Sequence, residues 1–141
     1  MKRKLIAALA CRNNGSRLYG KPIQNLDVEN KISILDNIIQ CLLEVDIIDE
    51  VILGISEGIE NEVFKTYADR YGLQYIIGSE NDVLARLIMC GEKSLTTDIF
   101  RVTSESPFVN FEMIKDAWNL QLTSSSDAVF LDEVIDGCGF E

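Results

Sequence analysis

Apolar runs that alternate with helix-spaced stretches limit what this chain can fold into. "KLIAALA" (4–10), "EVILGIS" (50–56), "LQYIIG" (73–78), "DIFRVT" (98–103) and "DAVFLD" (127–132) read as five strands. The first is a continuous apolar run bounded by charge and glycine, as a strand covered on both faces requires. Between the first two, "SILDNIIQCLLEV" (33–45) sets Ile34, Leu35, Ile38, Ile39, Leu42 and Leu43 on one side of an amphipathic helix. Ser33 with Asp36 has the spacing of a capping box. Further helices are expected over 60–72, stopped by Gly72, over 79–94, capped by Ser79 with Asp82, and over 110–122. Strand–helix alternation of this kind predicts a three-layer α/β/α architecture with a mostly parallel sheet. Open sheets of this type bind ligands beyond the carboxyl ends of their strands. The loops 11–22 and 103–109 are therefore the places to look for chemistry.

The length, 141 residues, fits one domain, and 47% hydrophobic residues suffice for a core. A formal net charge of -10 repels nucleic acid and anionic membrane surfaces, so neither is an expected partner. A small anion in one local basic pocket remains compatible with it. There is no histidine, and Cys11, Cys41, Cys90 and Cys138 form no C-x-x-C pair, which argues against zinc. Free thiols in apolar patterns suit a reducing cytosol. Cys11 reads as strand-end packing, since no histidine exists to activate it. The basic start "MKRK" before an apolar run has the look of a secretory signal, but the charged "CRNNGSR" cuts that run short. No apolar run approaches the roughly 18–20 residues of a membrane span.

The first loop stands out against this acidic background. "RNNGSRLYGKPI" places Arg12, Arg17 and Lys21 among Gly15 and Gly20 directly after the first strand. Glycines let backbone N–H groups approach a ligand, arginine grips phosphate oxygens as a fork, and lysine acts as a mobile point charge. The set suits a di- or triphosphate. It fits neither the P-loop, because Pro22 stands where Ser/Thr is needed, nor the G-x-G-x-x-G pattern. The alternative is a solvated basic turn paired with acidic neighbours.

The same stretch resembles the signature R-x-x-S-x-R-L-x-G-K of the sugar cytidylyltransferases, among them the acylneuraminate and 3-deoxy-manno-octulosonate enzymes and the spore-coat polysaccharide branch. "SENDVLARL" (79–87) is similar to that family's E-D-D-V-L-x-R, and "FRVTSESPFVN" (100–110) to its R-x-T-G-D-x-P-x-x-D. The resemblance covers nearly the whole chain in order. It implies a nucleotide-diphospho-sugar transferase (Rossmann-like) fold and nucleotidyl transfer from CTP to a sugar, often acidic, with release of pyrophosphate. Arg12 and Lys21 would be catalytic. Ala10, Arg12, Asn13, Gly15, Ser16, Arg17, Lys21, Ser79, Arg86 and Thr103 would hold the nucleotide, and Glu105 would bind Mg²⁺. For Arg86, pairing with Glu80 or Asp82 on its own helix is the equal alternative. The sequence departs from the pattern at Gly15 for serine, Ser104 for glycine, Glu105 for aspartate and Asn110 for aspartate. Glutamate keeps the charge but reaches one methylene further, which matters to a cation that demands octahedral geometry.

Relatives in the resembled family continue further, with a sugar pocket, a second metal carboxylate and dimer contacts in their later part. The expectation is therefore that residues 1–141 form a single nucleotide-binding α/β domain, the N-terminal part of a longer protein that is a cytoplasmic homodimer. Asp136 and Glu141 would begin the sugar or second-metal region, or else be ordinary exposed acids. Trp118, with Phe111 and Ile114, reads as a core stripe, and Tyr67 with Tyr71 as packing on one helix face. The rival reading from another class is a nucleotide-binding module without activity. A third is a related sugar nucleotidyltransferase that uses another nucleotide.

Overall fold

The computed structural model describes residues 2–130. Its centre is β1 (Leu5–Cys11), buried along its length with only Ala10 partly exposed. Two parallel neighbours flank it. On one side β4 (Glu50–Ser56) runs in register with Ala7 beside Val51 and Ala10 beside Gly54. On the other side β6 (Asp98–Thr103) runs with Leu5 beside Asp98 and Ala10 beside Thr103. β5 (Gln74–Gly78) completes the sheet beyond β4, giving the order β5-β4-β1-β6. Among the described residues all pairs in this sheet are parallel.

Continuous apolar runs are needed here because helices cover both faces. Leu5, Ala7, Leu9 and Cys11 pack with α1 (Ile34–Leu43), α2 (Val63–Tyr71) and Ile114 of α4 (Ile114–Thr123). Ile6 and Ala8 face the other way, against Leu87 and Cys90 of α3 (Val83–Lys93). The chain leaves β1 towards β4 and β5, then returns to lay β6 on β1's opposite side. That reversal sets α1 and α2 on one face and α3 on the other, as right-handed crossovers require. It also creates the topological switch point, between the carboxyl ends of β1 and β6, where an open sheet of this class has its crevice.

The expected helix signals largely hold. Ser33 and Asp36 form a full capping box at α1, and Gly72 ends α2 in the left-handed conformation with φ 65°. The start of α3 differs from expectation. Asp82, not Ser79, is its cap, accepting from the Ala85 N–H at 2.8 Å, while the Ser79 hydroxyl accepts from Asn81 N–H one turn earlier. The stretch 111–113 is a single 3₁₀ turn before α4. A small antiparallel hairpin, β2 (Asn25–Asp27) with β3 (Ile32–Ser33), joins the first loop to α1. The expected strand over 127–132 is not seen in its described part: residues 127–130 are irregular, and the remaining two lie outside the described residues. Asp136 and Glu141 also lie outside them. Among the described residues no helix is long and apolar enough to cross a membrane.

Candidate functional site

The loop after β1 is closed at its base by one residue. The carbonyl of Asn13 accepts from the N–H groups of Gly15 and Gly20, both at 2.9 Å, drawing residues 13–20 into a ring. Asn13 itself is buried and tied to the segment after β4: its N–H donates to Asn61 Oδ1 at 2.8 Å and its Nδ2 to the Glu60 carbonyl at 2.6 Å. Its Oδ1 is buried without a partner. Asn14 Nδ2 reaches Glu60 Oε1 at 2.8 Å and Glu80 Oε1 at 3.1 Å, joining the ends of β1, β4 and β5. Gly15 is the residue this ring allows. A Cβ there would sit 2.7 Å from the Leu18 carbonyl oxygen, so the departure from serine follows from the loop's own geometry. Gly20 turns the chain with φ 65° into the 3₁₀ turn Lys21–Ile23.

The ring presents the predicted cations outward. Arg12 and Arg17 are exposed and Lys21 is half-buried, and among the described residues none of the three forms an ion pair. This disfavours the solvated turn neutralised by acidic neighbours. Ser16 is exposed and Ala10 half-buried at the strand end. Because Ala10 pairs with Thr103, the loop after β6 starts alongside this ring. There Thr103 Oγ1 donates to Ser106 Oγ at 3.3 Å, Ser104 is buried, and Glu105 is half-buried. Asn110, where an aspartate was expected, caps the following turn by accepting from Glu112 N–H at 3.2 Å. Strand register thus starts the first loop and the loop that carries Glu105 side by side. Ser79 stands apart, in the turn before α3.

Arg86 differs from both expectations. It does not reach the open cleft, and it forms no ion pair with Glu80 or Asp82. It is 1% exposed and donates through Nη1 to the carbonyls of Cys11 at 3.2 Å and Gly54 at 3.1 Å. Cys11 is strand-end packing as expected: burial drives its thiol far above the ordinary range, which leaves it inert at neutral pH. Trp118, Tyr67 and Tyr71 pack in or against the core, and the two tyrosines also donate to Ser33 Oγ at 3.0 Å and Asp36 Oδ1 at 2.8 Å.

No group of three or more acidic or cysteine side chains is arranged to hold a metal ion among the described residues. Glu105 is the single acid between residues 104 and 110. Mg²⁺ commonly uses one or two carboxylates and completes its shell with phosphate oxygens and water, so this donor set fits Mg²⁺ that arrives on a polyphosphate. A cavity of about 290 Å³ lies elsewhere, beside β6 between α3 and α4, lined by Leu87, Ile99, Trp118 and Val129. None of the predicted site residues lines it. The strand-end loops carry the charge and the backbone donors, so they are the candidate site.

No known family profile matches the chain, and no curated protein sequence matches it. Solved structures do. A cytidylyltransferase from Leptospira borgpetersenii superposes with a TM-score of 0.86 at 18% identity, over 99% of this chain and 59% of that one. A CMP:2-keto-3-deoxy-manno-octonic acid synthetase, solved with CTP, gives 0.70 at 14% identity, over 86% of this chain and 49% of that one. A 4-diphosphocytidyl-2C-methyl-D-erythritol synthase from Anaerococcus prevotii gives 0.58 at 18% identity, over 99% and 62%. At these identities the shared property is the fold: a mostly parallel sheet with helices on both faces, of the type seen in nucleotidyltransferases. The chain spans about half to two thirds of the length of these structures.

Proposed function

We propose that this chain is the nucleotide-binding part of a sugar cytidylyltransferase. One observation carries the reading above the others. Three cations without acidic partners stand on a ring-closed loop at the switch point of a sheet whose structural neighbours are cytidylyltransferases. Arg12, Arg17 and Lys21 bind the triphosphate of CTP, with Ala10, Asn13, Gly15 and Ser16 shaping the loop, Ser79 at the next strand end and Thr103 beside it. The hydroxyl of a sugar attacks the α-phosphorus, the bond to the bridging oxygen breaks, and pyrophosphate leaves. Arg12 and Lys21 stabilise the charge that builds on the phosphates in that step, an electrostatic rather than covalent contribution. Glu105 would hold Mg²⁺, which when bound neutralises phosphate charge. The complete protein would act as a cytoplasmic homodimer in surface polysaccharide synthesis.

Thermal denaturation with CTP, ATP, GTP and UTP, each with and without Mg²⁺, tests this. CTP should raise the midpoint most, since a ligand at 100 times its dissociation constant adds about 2.7 kcal/mol. Arg17→Ala and Lys21→Ala should each remove the shift. A response to another nucleotide alone would transfer the reading to a different nucleotidyltransferase, and no response to any would end it. CTP binding without pyrophosphate release by the full-length protein, given a panel of sugars, would instead support an inactive binding module. The lengthened Glu105 side chain favours that second reading.

A further inference from the structure

Arg86 is a buried cation that forms no ion pair among the described residues. It lies on α3 yet ends against the last residue of β1, and on the way its stem crosses two strands. Both strands lack a side chain along that path. A Cβ at Gly78 of β5 would fall 2.8 Å from Arg86 Cγ, and one at Gly54 of β4 would fall 3.8 Å from Arg86 Cβ and 3.3 Å from Cys90 Sγ. The sheet is thus grooved to pass one arginine. Its guanidinium gives Nη1 to the Cys11 and Gly54 carbonyls, while Nε is buried with no partner. The flanking thiols of Cys11 and Cys90 stay neutral at physiological pH, since burial pushes Cys90 up to about 12 and Cys11 higher. Arg12 repels it, and Glu80 attracts it without forming an ion pair. Guanidinium does not deprotonate in proteins, so this charge is permanent. A buried cation without a counter-charge is costly unless the arrangement serves something.

Resting on the phosphate-binding reading of the first loop, we propose that Arg86 is the positioning residue of that loop. It fixes the carbonyl of Cys11, just ahead of the ring 13–20, and places a fixed positive charge beneath it. A polyphosphate on Arg12, Arg17 and Lys21 then meets an oriented loop over a cationic floor. Arg86 touches no ligand itself.

Calorimetric titration of the full chain with inorganic tripolyphosphate, and separately with CTP, tests the proposal. Arg86→Met, which keeps the stem and removes the charge, should weaken tripolyphosphate binding about tenfold or more, the scale of a lost charged hydrogen bond. Arg86→Lys should restore most of that affinity. Gly78→Ala removes no charge but obstructs the stem, and should weaken binding in the same direction. The loss in Arg86→Met should persist at high salt, because buried charges are little screened, while the loss in Arg17→Ala should shrink. Wild-type affinity in folded Arg86→Met, or in Gly78→Ala, would overturn the proposal. If Arg86→Met does not fold, Arg86→Lys and Gly78→Ala decide. Failure of the wild type to bind tripolyphosphate or CTP would strike the phosphate reading instead. Hydrogen exchange then judges Arg86 alone: the Gly15 and Gly20 amides should exchange faster in Arg86→Met and Gly78→Ala, and unchanged rates would refute the positioning role.

Discussion

Asp36 joins a helix cap to a buried charge. Its Oδ2 accepts from the Ser33 N–H at 3.0 Å and the Ser33 hydroxyl at 2.8 Å, and its Oδ1 from Arg70 and Tyr71, both at 2.8 Å. Burial opposes the ionised form, but the Ser33 N–H, the Tyr71 and Ser33 hydroxyls and the Arg70 charge together hold the carboxyl below its usual range. A depressed native value stabilises the fold above the unfolded value, about 3.9, and that contribution is lost as pH falls through the native one. Asp36→Asn should therefore cost roughly 2–4 kcal/mol at neutral pH by urea denaturation. The deficit should narrow towards zero in strong acid, and a deficit independent of pH would refute the assignment. This cap was legible because Ser33 and Asp36 are neighbours in sequence. The clamp on Asn13 was not, since Asn61 is 48 positions away and nothing local marks the pair. Arg86 was not legible: the sequence left a nucleotide contact and a pairing on its own helix equally open, and its path over Gly54 and Gly78 exists only once three strands lie side by side.

Among the elements, β1 is the best protected. Both of its edges are paired and both faces are covered, with Ile6, Ala7, Ala8 and Leu9 fully buried. Its amides should exchange at the global unfolding rate, whereas those of α4, where Ile114 alone is buried, should exchange by local opening. Native-state hydrogen exchange checks this, and equal protection of the two would contradict it. Of the four strands described in the sheet, β1 and β4 were readable because strands buried on both faces must be uninterrupted apolar runs, and the less buried β5 and β6 because short apolar stretches stand between helix signals. The hairpin of β2 and β3 gave no such signal: it is short, mostly exposed, and held by local bonds such as Asn30 Nδ2 to Asp27 Oδ2 at 2.7 Å. Of "DAVFLD", residues 127–130 are irregular and the other two lie outside the described residues.

The molecule as a whole carries a net charge of -10, so its compact form works against its own repulsion. Moderate sodium chloride should raise the unfolding midpoint of the free chain by screening that repulsion, while weakening the proposed hold on polyphosphate. A midpoint that falls with added salt would show that local ion pairs, not net charge, dominate. The strand order has a consequence of another kind. During synthesis on the ribosome, β1 emerges first, gains β4 and β5, and keeps its other backbone edge bare until β6 is complete. The nascent polypeptide passes through a stage with an apolar, unpaired flank, the species most prone to stick to another copy. Closing that flank and bringing the two strand-end loops together are one event, so a newly made copy leaves its most adhesive stage as its candidate cleft comes into being.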